Sequence, residues 1–560
     1  MRQAASAEQD ARPSTFSGGW LHSRSVPPTV SCQRMNNSGV PSKAVPSETP
    51  FPPRRLSIRW WPAFVIGILG FASMLITQRF PHLSQQHANI DTAKAIVVTG
   101  IALLLWLLFL SRMTWKRRVW LFAGIVVSLG ALASMFRIRG VSGNLVPVLE
   151  PRWVKRTLEV PIGNPSTNSP TMAPGVADFP QFLGPNRNGS MAGPRLATNW
   201  TARPPTLLWR HQVGSGWSGF VVSGTRAITQ EQRDQEEATV CYDLITGKVI
   251  WAHSVRARYF NALAGEGPRA TPTIAGSKVF AQGATGVFVC LNLETGHELW
   301  IRDLIRSNHV EVPAWGVSSS PLAVKDLVVL GAGGGKGHAL EAYVAKDGSA
   351  AWAGGDEGDT YSSPKEATLD GVPQIVLFSG ALVGHDLGSG RELWRFPWPG
   401  GHPHIAMPIV ASETDLIISS GYGTGSGRIR IKRDAAGKWT ATSVWRANRL
   451  KAKFTNPLLH LGNVYGLDDG ILACLDAETG NLRWKDGRYG HGQTLLVGSF
   501  LLIMAESGEV VLVDPQPDQL RELTRFQAVS GKTWNPHALA GEYLIVRNDK
   551  EAACYRLPVD

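Results

Sequence analysis

Cysteine is scarce: five residues in 560, with none spaced as CxxC or CxxCH. That excludes a paired-thiolate zinc site and a c-type haem attachment. The 14 histidines include no HExxH pair, so the helical zinc-protease arrangement is missing too. Charge is sparse, at 18% of residues, and acid is sparsest at the start of the chain. Residues 1–160 hold 19 Lys/Arg against 6 Asp/Glu, whereas residues 161–560 hold 37 against 38. The formal net charge of +12 therefore belongs to the first part, and the larger part is nearly neutral. A nucleic-acid surface needs Lys and Arg clustered on the folded domain, and no such cluster stands there.

Long apolar runs, by contrast, are present. "WWPAFVIGILGFASMLI" (60–76), "AIVVTGIALLLWLLFL" (95–110) and "VWLFAGIVVSLGALASMF" (119–136) are each 16 to 18 residues without a charge. A single run of this kind also suits a buried core helix. Three in series, flanked by charge and Trp, read as membrane helices near the short end of the about 20 residues that cross a bilayer. The first stands too far from the start for a cleaved signal peptide. Arg54, Arg55 and Arg59 precede the first run, and Arg112, Lys116, Arg117 and Arg118 lie between the second and third. Only Arg79 and Lys94 lie in the first loop. This bias predicts a cytoplasmic N-terminus and an exported C-terminal domain on the periplasmic side of the inner membrane. Arg137 and Arg139 pull weakly the other way. The expected layout is a disordered cytoplasmic tail (1–58), three transmembrane helices (59–137), a Pro-rich linker (138–177) and one large domain (178–560).

That domain is rich in Gly and Trp, and it repeats. Asp243…Gly247…Trp251, Asn292…Gly296…Trp300, Asp386…Gly390…Trp394 and Asp476…Gly480…Trp484 share one spacing: Gly four after the acid or amide, Trp four after Gly. Trp209, Trp352 and Trp445 keep the rhythm, with successive intervals of 42, 49, 52, 42, 51 and 39 residues. One strand cannot fill such an interval, whereas a four-stranded antiparallel sheet can. A second series, "ATP" (270–272), "SSP" (319–321), "SSP" (362–364), "AMP" (406–408), "TNP" (455–457) and "WNP" (534–536), opens a short apolar run each time. Pro is tolerated at the first position of a strand. The final unit, 533–557, has three strands, and "TLLWRHQV" (206–213) supplies a lone fourth. The expected fold is all-β: an eight-bladed β-propeller, closed by mixing the two chain ends, with a degenerate last repeat near Phe526.

The repeated motif explains itself without catalysis. Asp accepts backbone N–H bonds in the turn, Gly takes a left-handed conformation, and Trp fills the seam between sheets. Cys241, Cys290 and Cys474 stand two before the Asp or Asn, and Cys554 occupies the matching place in the last unit. Equivalent places on neighbouring blades are too far apart for a disulfide, so small buried thiols are expected. "GAGGGKGHA" (331–339) lacks Ser or Thr after Lys336 and leads into a strand-like run, unlike a phosphate loop.

A ligand site should therefore lie on the axis, among residues that do not repeat. The candidates are Trp217, Arg269, Trp315, Tyr361, Lys365, His402, His404, Lys453, Asn456, His491, Gln493, Trp534 and Asn535. Aromatic, cationic and amide groups converging from several blades suit a flat, anionic, aromatic ligand. A polar, water-filled channel accounts for the same residues.

"LDAETGNLRW" resembles the tryptophan-docking repeat of the quinoprotein propellers. "FPQFLGPNRNG" (179–189), "GPRATP" (267–272), "WGVSSSPL" (315–322), "YSSP" (361–364), "KFTNP" (453–457), "YGHGQ" (489–493) and "GKTWNP" (531–536) resemble the PQQ-binding-like propellers abundant in planctomycetes. PQQ is pyrroloquinoline quinone. The likeness runs over roughly 178–557. It implies kinship in fold with the PQQ-dependent alcohol dehydrogenases and with the assembly lipoprotein BamB. The enzymes hold PQQ over Ca2+, use an Asp as proposed base and often show adjacent cysteines. No two cysteines are adjacent here, and neither Asp359 nor Glu266 maps onto the metal ligands. The resemblance thus leaves two expectations. One is a non-catalytic, membrane-anchored scaffold for a protein partner or an axial ligand. The other is a PQQ-dependent dehydrogenase feeding membrane quinone, as in sugar dehydrogenases with a multi-helix anchor.

Overall fold

The computed structural model describes residues 58–79, 85–154, 178–334, 336–358 and 361–560. Residues 1–57 of the expected tail, residues 155–177 of the expected linker and Asp359 lie outside them. Three helices open the described chain: α1 (Trp61–Arg79), α2 (Gln85–Leu105, continued by a π turn at Trp106–Leu110) and α3 (Trp115–Met135). Each is long and apolar enough to cross a membrane. α3 has no buried residue, and Trp120 is 78% exposed. A helix apolar all round needs an apolar surrounding.

Helix α3 runs directly into a two-stranded ribbon, β1 (Phe136–Val141) and β2 (Pro147–Pro151). Apart from Phe136 and Arg137, which fall at the end of the expected helical region, this order lies inside the stretch expected as a linker. Pro147 and Pro151 fit because β2 has a partner on one side only, where the missing N–H costs no ladder bond.

Residues 178–560 form eight antiparallel sheets with four strands each in chain order. They are sheet I (221–255), II (273–303), III (322–354), IV (365–397), V (409–447), VI (458–488), VII (493–527) and VIII (538–556). Sheet VIII takes its fourth strand, Thr206–Gln212, from the opposite end of the domain. Sheet VII gains a short parallel fifth strand, Ser190–Met191.

The repeated motif occupies the outer hairpin of sheets I, II, III, IV and VI. Asp476 Oδ1 accepts the N–H groups of Glu478 and Thr479 and the Thr479 hydroxyl. Trp Nε1 then reaches a turn carbonyl of the next sheet. Trp209 bonds Leu244 at 2.8 Å, Trp251 bonds Leu293 at 3.0 Å and Trp352 bonds Leu387 at 3.1 Å. Trp445 bonds Ala477 at 3.1 Å and Trp484 bonds Gln516 at 2.9 Å. The glycine has a second duty beyond its turn. A Cβ on Gly296 would lie 2.6 Å from the Trp251 ring, and Gly247, Gly348, Gly390 and Gly480 face the preceding Trp in the same way.

The exception is Trp394. Sheet V has a long hairpin (Gly425–Arg433, Trp439–Ala447) in place of the Thr-Gly turn, and Trp394 donates to Gln374 of its own sheet at 2.5 Å. In sheet VII, Thr524 stands where other sheets carry Trp, and Phe526, two residues on, packs edge-on against Tyr555 of sheet VIII at 4.9 Å. The four described cysteines are free and buried. Each lies directly opposite a Trp: Cys241 with Trp251, Cys290 with Trp300, Cys474 with Trp484, Cys554 with Trp209. A small side chain there leaves room for the indole. The segment "GAGGGKGHA" joins one strand to the next, Leu327–Gly331 to Leu340–Val344, with no helix behind it.

Candidate functional site: a roofed axial chamber

The Pro-marked strands begin where the sheets converge, and their polar residues tie neighbouring sheets together. Gly219 N–H donates to Thr271 Oγ1 (3.1 Å), Thr271 N–H to Ser320 Oγ (3.0 Å) and Ser320 N–H to Ser363 Oγ (2.9 Å). Ser362 Oγ bonds Ala406 O, Met407 N–H bonds Asn456 Oδ1, and Thr494 Oγ1 bonds Asn456 O. Gln493 Nε2 reaches Trp534 O, and Asn535 Nδ2 reaches Gly216 O and Ser218 O. Every seam from sheet I round to sheet VIII and back to I carries at least one of these bonds. The Ser, Thr and Asn of these motifs are thus belt residues, a role beyond starting a strand.

The belt surrounds a chamber of about 430 Å3. Eight of the thirteen sequence candidates line it: Trp217, Arg269, Trp315, Tyr361, His402, Asn456, Gln493 and Trp534. Phe182, Tyr422, Phe454, Leu145, Leu263 and Ile405 add apolar wall. Trp534 packs against Trp217 and Phe454, both at 4.9 Å, and His402 stacks on Tyr422 at 4.7 Å. Arg269 lies over the Tyr259 ring at 4.4 Å and spends its N–H groups on the carbonyls of Ala264, Gly265 and Gly267. Burial lowers its pKa to about 10, so it is a cation at neutral pH.

The other five candidates stand behind the wall. Asn535 is in the belt. His404 is stacked on Phe378 at 4.6 Å. Lys365 Nζ donates to Arg187 O at 2.8 Å. Lys453 and His491 belong to the rim, beneath the ribbon tip and the start of α2.

A floor and a roof close the chamber, and both come from non-repeating sequence. The floor is the 179–191 segment. Phe179 bridges to Val222, Ile274 N–H bonds Pro180 O, and Leu496 N–H bonds Gly189 O. Between these anchors Arg187 donates to Ser320 O (2.6 Å), Pro321 O (3.0 Å) and Pro364 O (2.9 Å). The roof is the ribbon tip with the start of α2. Gly143 N–H donates to Glu506 Oε1 (2.7 Å), which also accepts from Trp534 Nε1 (2.9 Å). His491 N–H donates to Glu506 Oε2, and its ring meets Asn144 Oδ1 at 3.2 Å. Lys532 Nζ caps Val141 O and lies 4.0 Å over the Trp534 ring. Lys453 Nζ reaches Gln86 Oε1 at 3.0 Å. A Cβ at Gly143 would collide with His491 at 2.0 Å, so only glycine fits the tip. Arg187, Glu506 and Gly143 escaped the sequence reading because none belongs to a repeat. The one available signal was that "FPQFLGPNRNG" occurs once.

Electrostatics at the rim follow from burial and donors. Burial acts to raise Glu506, but the N–H groups of Gly143 and His491 outweigh it and hold the carboxyl below its usual value. Burial pulls His404, His491 and His537 down to about 4, so all three are neutral at pH 7. A histidine with a folded pKa below its unfolded one stabilises the fold fully above about 6.5, and that stability is lost as pH falls towards 4. Glu237 works oppositely: burial raises it to about 7, so its contribution is lost as pH rises from about 4.5 through 7. Glu237→Gln is therefore expected to steepen the rise of unfolding free energy between about pH 5 and 7. Guanidinium titrations across that range measure it, and slopes equal to wild type contradict the assignment.

No Asp or Glu lines the chamber among the described residues, and no group of three metal-ligating side chains occurs among them. Ca2+ takes about six to eight oxygen ligands, normally with carboxylates among them. Glu266 is paired with Arg258 on a surface hairpin. The described lining thus does not fit a Ca2+-held quinone cofactor.

Repeated four-stranded sheets joined by Trp seams define a PQQ-like β-propeller. The family described as outer membrane protein assembly factor BamB matches residues 201–354, 309–486 and 379–531 in overlapping stretches. These span more than half of the chain, and the chain belongs to that family. It is 28% identical over 260 residues to BamB of Moranella endobia (strain PCIT), covering 43% of this chain and 61% of that one. It is 25% identical over 257 residues to BamB of Yersinia pestis, covering 43% and 60%. The chain thus spans about three fifths of the length of these relatives. Among solved structures, a europium-containing methanol dehydrogenase superposes with a TM-score of 0.51 at 12% identity, covering 68% of this chain and 98% of that one. At that identity the likeness is one of fold alone.

Proposed function

We propose that this chain is a membrane-anchored, exported binding protein: an eight-bladed propeller, closed by its own two ends, that holds a partner in the cell envelope. The proposed layout is a cytoplasmic tail (1–58), three inner-membrane helices (59–137), a short connection (138–177) and a periplasmic propeller (178–560). The carrying observation is the chamber. Among the described residues it is lined by aromatic and amide groups without a carboxylate, and the chain's own segments cover both of its ends. Such a site offers stacking and hydrogen bonds to a ligand and, among the described residues, no carboxylate to serve as a catalytic base. The relatives' name, outer membrane protein assembly factor, supports a protein partner on the propeller and a scaffold role.

The reading is tested by reconstituting purified protein with PQQ and Ca2+ and offering alcohols or aldoses with a dye acceptor. The expected result is no dye reduction. Reduction of the dye would sink the scaffold reading and favour a dehydrogenase that passes electrons to membrane quinone. That second reading draws on one observation, an aromatic chamber roofed by the start of a membrane-length helix. Added protease should cleave the propeller in spheroplasts, and a spared propeller would reverse the proposed orientation.

A further inference from the structure

The β1–β2 ribbon has two unlike faces. Arg137 lies opposite Glu150, and the two form an ion pair at 2.9 Å on one face. On the other face Ile138 lies opposite Leu149, and both are 60% exposed. Phe136 pairs with Pro151 on that same face, since alternate residues of a strand share a side. Trp153, 62% exposed, extends the strip, with its ring 6.1 Å from that of Phe136. A surface hairpin of sheet I's following loop (Phe260–Asn261, Gly265–Glu266) lies alongside β1 and exposes Phe260. A two-stranded ribbon is marginal in water on its own, and an exposed apolar strip of this kind calls for a covering surface.

The covalent path says what that surface is. α3 has 21 residues, which at about 1.5 Å per residue give a length close to the ~30 Å hydrocarbon layer. No spacer follows it. Phe136 N–H still bonds Leu132 O of the last helical turn, and Arg152 N–H bonds Met135 O at 3.0 Å. The ribbon therefore begins where α3 leaves the bilayer. Trp153, flanked by Arg152 and Arg137, matches the aromatic and cationic belt that proteins place at the headgroup level.

We propose that the apolar face of this ribbon, together with Phe260, seats in the headgroup–acyl boundary of the bilayer that holds α3. The ribbon is then clamped between lipid on its apolar face and the chamber rim at its tip, where Gly143 meets Glu506. The chamber roof is set at the membrane surface as a result. This inference rests on the membrane-anchored reading above.

The test uses the full chain in nanodiscs of phosphatidylcholine and phosphatidylglycerol. Cys32→Ser leaves the four buried thiols as background, and single nitroxides are placed through Leu149→Cys, Phe260→Cys, Leu129→Cys and Leu461→Cys. Leu129 lies within α3. Leu461 is 84% exposed beside the Asp476 turn, at the end of sheet VI away from His491. Electron-spin power saturation compares collisions with oxygen, which partitions into lipid, against a water-soluble nickel chelate. The oxygen-to-nickel ratio is expected to be several-fold higher at 149, 260 and 129 than at 461. A lipid-like value at 129 with water-like values at 149 and 260 overturns the seating while leaving the anchor intact. Low collision with both reagents at 149 means that protein, such as a second copy, covers the ribbon, and that also overturns it. A water-like value at 129 fails the anchor reading and the seating with it. Leu149→Asp supplies the control. It should make the label at 260 water-accessible while near-ultraviolet circular dichroism stays unchanged, and a label that stays lipid-exposed contradicts the proposed contact.

Discussion

Trp251→Ala is expected to lower the unfolding free energy of the propeller by about 3–5 kcal/mol, the usual loss for emptying a buried Trp site. Trp251 is 8% exposed, fills the space between sheets I and II and holds the Leu293 carbonyl. Its ring also sets the identity of residue 296. Gly296 has φ +70°, and a Cβ there would lie 2.6 Å from the indole. Gly296→Ala therefore combines two penalties, the left-handed backbone at about 1–2 kcal/mol and the clash. Only the clash depends on Trp251. In a double-mutant cycle, Gly296→Ala should cost less in the Trp251→Ala background than in wild type, with a coupling above about 0.5 kcal/mol. Denaturant titration of the detergent-solubilised chain measures all four corners. Strict additivity would mean that the turn alone selects the glycine.

Arg187→Met is expected to cost about 3 kcal/mol or more. Hydrogen bonds from a charged donor contribute about 1.5–3 kcal/mol each, and unpaired buried carbonyls carry a further penalty. Arg187 is 3% exposed, and its guanidinium serves three carbonyls on sheets III and IV. Lys365 lies beside it, its pKa lowered to about 8 by burial and by the neighbouring Arg187 charge. A lysine with a folded pKa below its unfolded one opposes folding at neutral pH, and stability rises as pH climbs from about 8 towards 10.4. Arg187→Lys should not rescue the loss, because one ammonium cannot replace a planar fork aimed at three acceptors. The readout is the unfolding midpoint of each variant, together with susceptibility to protease between residues 179 and 191. A stable, protease-resistant Arg187→Met protein would show that the floor is held by Phe179 and the Ser190–Met191 strand alone.

Both positions bear on what a reader of the bare sequence can see. Trp251 and Gly296 were visible because their pattern recurs at fixed spacing, and local turn chemistry explains each member. The inner Ser, Thr and Asn residues were visible as strand starts, yet their bonds across the seams were not, since the partners lie 43 to 52 residues away. Eight of the thirteen axial candidates line one chamber because they flank strands whose inner ends converge. Lys365 and His404 flank such strands too, but they turn away, one under Arg187 and one onto Phe378. Strand parity and rotamer decide that, and neither is written in a spacing.

The sequence by itself determined the membrane-length helices, the four-stranded unit, the Asp–Gly turn and the seam Trp. Each of these depends on residues within one helix or one hairpin, so local periodicity carries it. Only the tertiary structure decided that a ribbon tip, a glutamate on sheet VII's hairpin and an arginine on a crossing segment enclose the axis. Gly143 and Glu506 are 363 residues apart, and Arg187 is 177 from Pro364. Contacts of that span come from the closing of sheet upon sheet, and single-copy residues leave no repeat from which to infer them.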